Sequence, residues 1–165
     1  MKDRLDIYID GSHLDKQNNG RLGIGGVIVD LNVKVGHGNI LNSYSMELIP
    51  EYMKITFGSD KCSNPSAELC ALLHALYNFK KEIRGAKKIV VHADYVGVRE
   101  WMTGTWRIKE PYIARIKADI DQEIYNQSLQ GRIQYEWVRG HQTDGSDDTY
   151  WNNYVDKLAK GEGKQ

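Results

Sequence analysis

The sequence has little of what would take it outside the ordinary globular class. Only two of its 165 residues are cysteine. Cys62 and Cys70 form no CxxC pair and no Cys/His cluster, so nothing points to zinc. Both are expected to be reduced, with Cys70 a small core residue. A chain of this length buries roughly two-thirds of its unfolded surface and needs no disulfide staple. No apolar run approaches the roughly 20 residues that span a bilayer, so no membrane partner is expected. The opening MKDRLDIYIDG lacks the apolar stretch of a signal peptide, and the expected location is cytoplasmic. Excess charge of one sign is also missing: 22 basic residues face 22 acidic ones. That balance counts against a strong nonspecific nucleic-acid binder. It leaves room for a nuclease, because a carboxylate site cancels positive charge elsewhere and bound metal reverses the local sign. With no repeat, low-complexity tract or linker, residues 1–160 read as one domain and 161–165 as a flexible tail. A monomer is the default expectation.

What is present is a change of period along the chain. Leu5, Ile7 and Ile9 alternate with Asp6, Tyr8 and Asp10, a strand that Gly11 can break. A second strand, Gly23 to Leu31, surrounds Val27-Ile28-Val29, and a third runs from Ile40 to Ile49. Asn18-Asn19-Gly20 and Gly36-His37-Gly38 separate them, which predicts an antiparallel meander. Asn64-Pro65 then reads as a helix cap followed by proline at the first helical position. Leu69, Leu72, Leu73 and Leu76 follow at helical spacing, with Lys80, Lys81 and Arg84 near the end. A short strand, Ile89 to Val91, ends at Asp94, and a short helix carries Val98 and Met102. A longer helix from about Pro111 places Ile113, Ile116, Ile120 and Ile124 on one stripe. Ile133 to Val138 is a fifth strand, and a final helix carries Val155, Leu158 and Ala159. The order βββαβααβα predicts an α/β fold with a mixed five-stranded sheet flanked by helices.

Four acids stand at distinctive points of this plan. Asp10 ends the first strand, Glu68 lies in the first turn of the first helix, Asp94 ends the fourth strand, and Asp156 lies in the last helix. Ligands of mixed α/β sheets gather beyond strand ends. If the first and fourth strands are neighbours, Asp10 and Asp94 meet there, and the helix can bring Glu68 alongside. Magnesium and manganese prefer hard oxygen ligands, and a pair of such ions can activate water and stabilise a leaving oxygen in phosphodiester cleavage. Each acid alone has an ordinary explanation: a turn, a helix dipole, a helix cap, a solvated helix face. Only the constellation argues for chemistry.

The segments around these acids resemble those of type 1 ribonucleases H, in the same order and over nearly the whole chain. They are IYIDGS with GIGGVIVD, SNPSAELCALLHAL, VVHADYVGVREW, and YEWVRGH followed by WNNYVDKLA. The resemblance implies the ribonuclease H-like fold and hydrolysis of the RNA strand of RNA–DNA hybrids by two magnesium ions, with manganese as a substitute. Products would carry a 5′-phosphate and a 3′-hydroxyl. It implies that Asp10, Glu68, Asp94 and Asp156 hold the metal, and that His141 assists product release or proton transfer. It also implies substrate contacts at Asn64 and Asn152, and Gly11 and Ser12 sit where backbone groups could approach RNA 2′-hydroxyls.

Three departures stand out. Pro65 replaces a second substrate-contacting asparagine. Tyr95-Val96-Gly97 and GTWRIKEP resemble a bacterial subgroup that lacks the long basic handle, and Trp101, Trp106, Arg107 and Lys109 offer a flat, positive substitute contact for the DNA strand. The stretch QTDGSDDTYW after His141 is longer than usual and reads as a solvated acidic loop. The competing expectations are a noncatalytic nucleic-acid-binding module on the same scaffold and a related nuclease acting on DNA or duplex RNA.

Overall fold

A computed structural model of the chain describes residues 1–140 and 142–162. Strands β1 (Lys2–His13), β2 (Leu22–Asp30) and β3 (Asn39–Leu48) form the antiparallel meander. Helices α1 (Pro50–Phe57), α2 (Asn64–Asn78) and α3 (Lys80–Arg84) follow. Then come β4 (Ala86–Ala93), α4 (Val96–Met102), α5 (Pro111–Asn126), β5 (Ile133–Trp137) and α6 (Asp147–Ala159). The sheet order is β3-β2-β1-β4-β5, with β4 parallel to both β1 and β5. This is the expected mixed five-stranded sheet. Among the described residues no helix is long and apolar enough to cross a membrane. Residues 163–165 of the expected tail lie outside the described residues.

Both faces of the sheet are covered. Leu5, Ile7 and Ile9 enter the main core with Leu69, Leu72 and Leu76 of α2 and Ile113, Ile116 and Ile120 of α5. On the other face Tyr8, Val27 and Val29 pack against Trp151, Val155 and Leu158 of α6. The polar positions of β1 therefore do not face solvent: Asp6 is 1% exposed. Its carboxylate is matched by Arg4, at 2.9 and 2.7 Å, and by His92 Nε2 at 2.6 Å. Burial alone would raise the Asp6 pKa, but the bonds from His92 and Arg4 outweigh it and hold the group below the usual carboxylate range. Tyr8 stacks on His92 with 4.2 Å between ring centres, and its hydroxyl donates to Asp148 at 2.5 Å. This ties the first turn of α6 to the sheet. The other end of α6 lies on Gly25, where a Cβ would come within 2.6 Å of Leu158 Cβ and 2.9 Å of Ala159 N.

The structure corrects several expectations. The first strand does not break at Gly11 but continues to His13, because Gly11, Ser12 and His13 still pair with Ile24, Gly23 and Leu22. The third strand stops at Leu48, and α1 follows; it anchors through Met53 and Phe57 while Ile55 faces solvent, a stripe too short to read as periodic. Ser63, not Asn64, caps α2: Ser63 Oγ accepts from Ser66 N at 3.3 Å, and Ser66 Oγ accepts from Ser63 N at 3.0 Å. The cations Lys80, Lys81 and Arg84 sit on a separate short helix after a break at Phe79. Much of the expected acidic loop is helix. Asp147 and Asp148 form the first turn of α6, where carboxylates suit the dipole, and Asp144 accepts from Ser146 and Thr149. Cys70 is buried in the main core as expected.

Candidate active site

The site lies where two strands part. The last parallel pair between β1 and β4 is Ile9 with Ala93. The next residues, Asp10 and Asp94, leave this pairing side by side. Gly11 then lets the first turn of α2 press on β1, since a Cβ there would sit 2.6 Å from the Ala67 carbonyl oxygen. That contact brings Glu68 to Asp10. Gly11 N donates to Asp10 Oδ1 at 2.9 Å and to Glu68 Oε1 at 3.1 Å. Asn64, freed from capping, accepts from His13 N at 3.0 Å and pins α2 to the end of β1. One carboxylate oxygen each from Asp10, Glu68 and Asp94 lie within 4.8 Å of one another. Asp156, on α6, lines the same cleft, close enough for its charge to act on Asp10. All four acids line one open cleft of about 660 Å³, with Gly11, Ser12 and Asn64 on its rim.

Crowding sets the electrostatics. Burial, reinforced by the charges of Asp94 and Asp156, pushes Asp10 up to about 8 against an opposing bond with Glu68. Burial and the Asp10 charge raise Glu68 well above its ordinary value. Glu68 Oε2 is buried with no hydrogen-bond partner among the described residues. Crowded carboxylates and a buried, unsatisfied carboxylate oxygen are what a bound cation would compensate. The all-oxygen donor set matches magnesium or manganese and offers no soft ligand. The residues fit a divalent ion.

Other expected site residues fall elsewhere. Trp101, Trp106 and Arg107 line a separate hollow of about 430 Å³ with Ile108 and Ile113. Trp101 packs against the main core and meets Tyr95 and Trp106 edge-on, at 5.7 and 6.3 Å. Trp106 is 43% exposed. Asn152 is buried one turn before Asp156, does not line the cleft, and its Oδ1 has no partner among the described residues. His141 lies outside the described residues. Its neighbour Gly140 lines the cleft, and a Cβ there would sit 3.2 Å from Asp94 Oδ2. Sequence reasoning missed Lys16 and Lys160 in the cleft. For Lys160 a signal existed: it follows Asp156 by four positions on one helix face.

Gly11→Ala is expected to force α2 and Glu68 away from Asp10. Overpacking against backbone costs roughly 1–3 kcal/mol, and cleavage should fall more than the stability loss alone explains. Urea unfolding beside single-turnover cleavage measures both. Wild-type values for both would show that the close approach of α2 is not needed.

An α/β sheet with carboxylates gathered at the end of its parallel seam is a scaffold that could hold a metal ion. A family model for RNase H matches residues 2–163, so this chain belongs to the RNase H family and its enzymatic class is ribonuclease. Among solved structures, it is similar to the N-terminal RNase H domain of Rv2228c from Mycobacterium tuberculosis. Identity is 25% over 97% of this chain and 93% of that one, with a TM-score of 0.69. It is similar in fold to RNase H1 from the archaeon Halobacterium salinarum, at 21% identity, 95% of each chain and a TM-score of 0.65. It also shares the fold of LC11-RNase H1, isolated from compost by a metagenomic approach and solved in complex with an RNA/DNA hybrid. That comparison gives 20% identity over 96% of this chain and 95% of that one, with a TM-score of 0.71. A search of curated protein sequences returns no match.

Proposed function

We propose that this ribonuclease cleaves the RNA strand of RNA–DNA hybrids with two divalent ions, magnesium first and manganese as a substitute. The observation that carries the proposal is the convergence of Asp10, Glu68 and Asp94 within 4.8 Å, in one cleft with Asp156. Asp10, Glu68, Asp94 and Asp156 would hold the ions. When bound, such ions supply a deprotonated water and neutralise charge on the phosphate and leaving oxygen. Attack of the water oxygen on phosphorus breaks the P–O3′ bond. One fragment keeps a 3′-hydroxyl and the next a 5′-phosphate.

The rest of the cleft suits a hybrid. The backbone of Gly11 and Ser12 lies on the rim, where a ribose 2′-hydroxyl can be distinguished from deoxyribose. Asn64 spends its oxygen on His13 N, which leaves its amide to donate to the minor groove. Trp106 and Arg107 offer a stacking and cationic surface to the DNA strand, with Trp101 buttressing Trp106. Asn152 is buried and does not line the cleft, so it has no place among the substrate contacts, and His141 assists product release or proton transfer. The hybrid bound by LC11-RNase H1 supports this choice of substrate.

The test is cleavage of a hybrid labelled on each strand, with magnesium, with chelator, and beside duplex RNA and duplex DNA. Magnesium-dependent loss of the hybrid's RNA strand alone, with 5′-phosphate ends, is the expected result. Folded protein that binds hybrid but cleaves nothing in magnesium or manganese would replace the proposal with a noncatalytic binding module.

A further inference from the structure

The end of the sheet opposite the cleft carries a dense run of positive charge. Residues 80–88, KKEIRGAKK, hold five cations and one acid in a chain whose total charge is zero. They form α3 and the start of β4, where Ala86 pairs with Lys2 at the beginning of β1. From Lys2 to Asp10 the strand runs roughly 26 Å, at ~3.3 Å per residue. Between α3 and the turn from α5 to β5 lies a half-enclosed hollow of about 360 Å³ that shares no residue with the cleft. Its charged side chains are Lys80, Arg84, Glu123 and Arg132. Glu123 is buried and already matched, by Gln127 Nε2 at 2.9 Å and Lys80 Nζ at 3.4 Å. Arg132 is held in place without an acid: its guanidinium donates to the carbonyl oxygens of Ala86, Lys87 and Ser128. Arg84 is exposed, and its guanidinium has no hydrogen-bond or acidic partner among the described residues.

We propose that this hollow is a binding site for a terminal phosphate, the group of a phosphate monoester. Three cationic side chains against one acid leave two positive charges, and a phosphate monoester carries about −1.5 to −2 at neutral pH. An internal phosphodiester carries a single charge and continues in both directions, which suits a groove rather than a recess. The planar fork of arginine matches two phosphate oxygens at once. Carbonyl oxygens take one donor from each nitrogen of Arg132, which fixes the plane of the guanidinium and leaves its remaining N–H groups for a ligand. Arg84 is the unengaged second fork, and the Ser128 hydroxyl adds a neutral donor to the lining. Buried Ile83 gives the recess an apolar wall, and such walls concentrate the field of the charges around them. The site is too far from the four acids to take part in hydrolysis. It is a second binding function, filled by a free nucleotide or by the 5′-phosphate end of a nucleic-acid strand.

Nuclear magnetic resonance titration of the isotope-labelled protein in chelator tests this without relying on activity. The probes are inorganic phosphate, a nucleoside 5′-monophosphate, and one oligodeoxynucleotide with and without a 5′-phosphate. Chelator keeps metal out of the acidic cleft, so phosphate finds no ion there. Saturable shifts are expected at the Arg132 Nε–H and at the amides of Gln127 and Ser128, with Ser12 and Tyr95 of the cleft unmoved. Whichever binds more tightly, the nucleotide or the 5′-phosphorylated strand, identifies the source of the phosphate. Arg84→Gln breaks no contact of the fold and should weaken binding by at least about tenfold, the scale of one hydrogen-bonded charge contact. Lys81→Gln makes the same change of charge on the same helix but outside the hollow, and should titrate like wild type. Equal weakening by the two variants, or a response that never saturates, would reduce the hollow to general surface attraction and overturn the proposal. Equal affinity of the strand with and without its 5′-phosphate would overturn it too.

Discussion

Asp10→Asn is expected to stabilise the metal-free protein, and to stabilise it more as the pH rises. The unfolded Asp10 carboxyl titrates near 3.9, whereas in the fold burial and its acidic neighbours push it up to about 8. A carboxyl raised on folding has no cost below its unfolded pKa. Between the two values the unfolded chain releases the proton first, so stability falls with rising pH until the folded group also ionises. The loss grows through roughly pH 4 to 8 and is complete above it. Each unit corresponds to about 1.4 kcal/mol, and relaxation of the cleft reduces the total, so about 2–4 kcal/mol is expected at pH 8.5. For a chain of this size that is roughly 5–15 °C in Tm. Asparagine removes the charge and relieves Glu68 and Asp94 as well. Urea unfolding in chelator at pH 4.5 and 8.5 checks the sign. A gain independent of pH would mean that the stabilisation does not come from the carboxylate, and a loss at pH 8.5 would contradict the crowding itself.

Asp94→Asn should nearly abolish cleavage while leaving the fold intact. The backbone oxygen of Asp94 accepts from Trp137 Nε1 at 3.0 Å, and the substitution does not touch that bond. A carboxamide keeps the size of the side chain but loses the charge that attracts metal and one of its two acceptor oxygens. A fall of at least about 10³ in the single-turnover rate is expected, equivalent to about 4 kcal/mol. Circular dichroism should be unchanged, and metal-free stability equal or higher. A variant that cleaves within about tenfold of wild type would remove Asp94 from the mechanism.

The four acids were legible in the sequence as a constellation, although Asp10 lies three residues before the end of β1 and Glu68 lies just past the first turn of α2. Their meeting was not, since the neighbourhood of β1 and β4 depends on a parallel crossover that no local pattern encodes. Asp6 shows the limit of alternation. Its position reads as the outward face of a strand, yet α6 covers that face, and the compensating partners Arg4 and His92 are identified only by the fold. Asn64-Pro65 pointed correctly to a helix start but misplaced the cap by one residue, because Ser63 and Ser66 satisfy each other. Helix α1 escaped notice because two buried side chains one turn apart make no measurable stripe. The aromatic character of Trp101 and Trp106 was plain, but local composition could not reveal that they line a hollow separate from the acids.

The parallel seam also imposes an order in time. Asp10 belongs to the first strand synthesised, yet the strand that aligns it with Asp94 follows the remaining meander and three helices. Bringing β1 and β4 together closes a long loop, a slow step in entropic terms, and it does so against the mutual repulsion of the carboxylates at its end. An ion bridging Asp10 and Asp94 would act as a rivet across this join. The cleft would then repay its cargo, with the metal recruited for hydrolysis helping the nascent protein to keep its central strands in register.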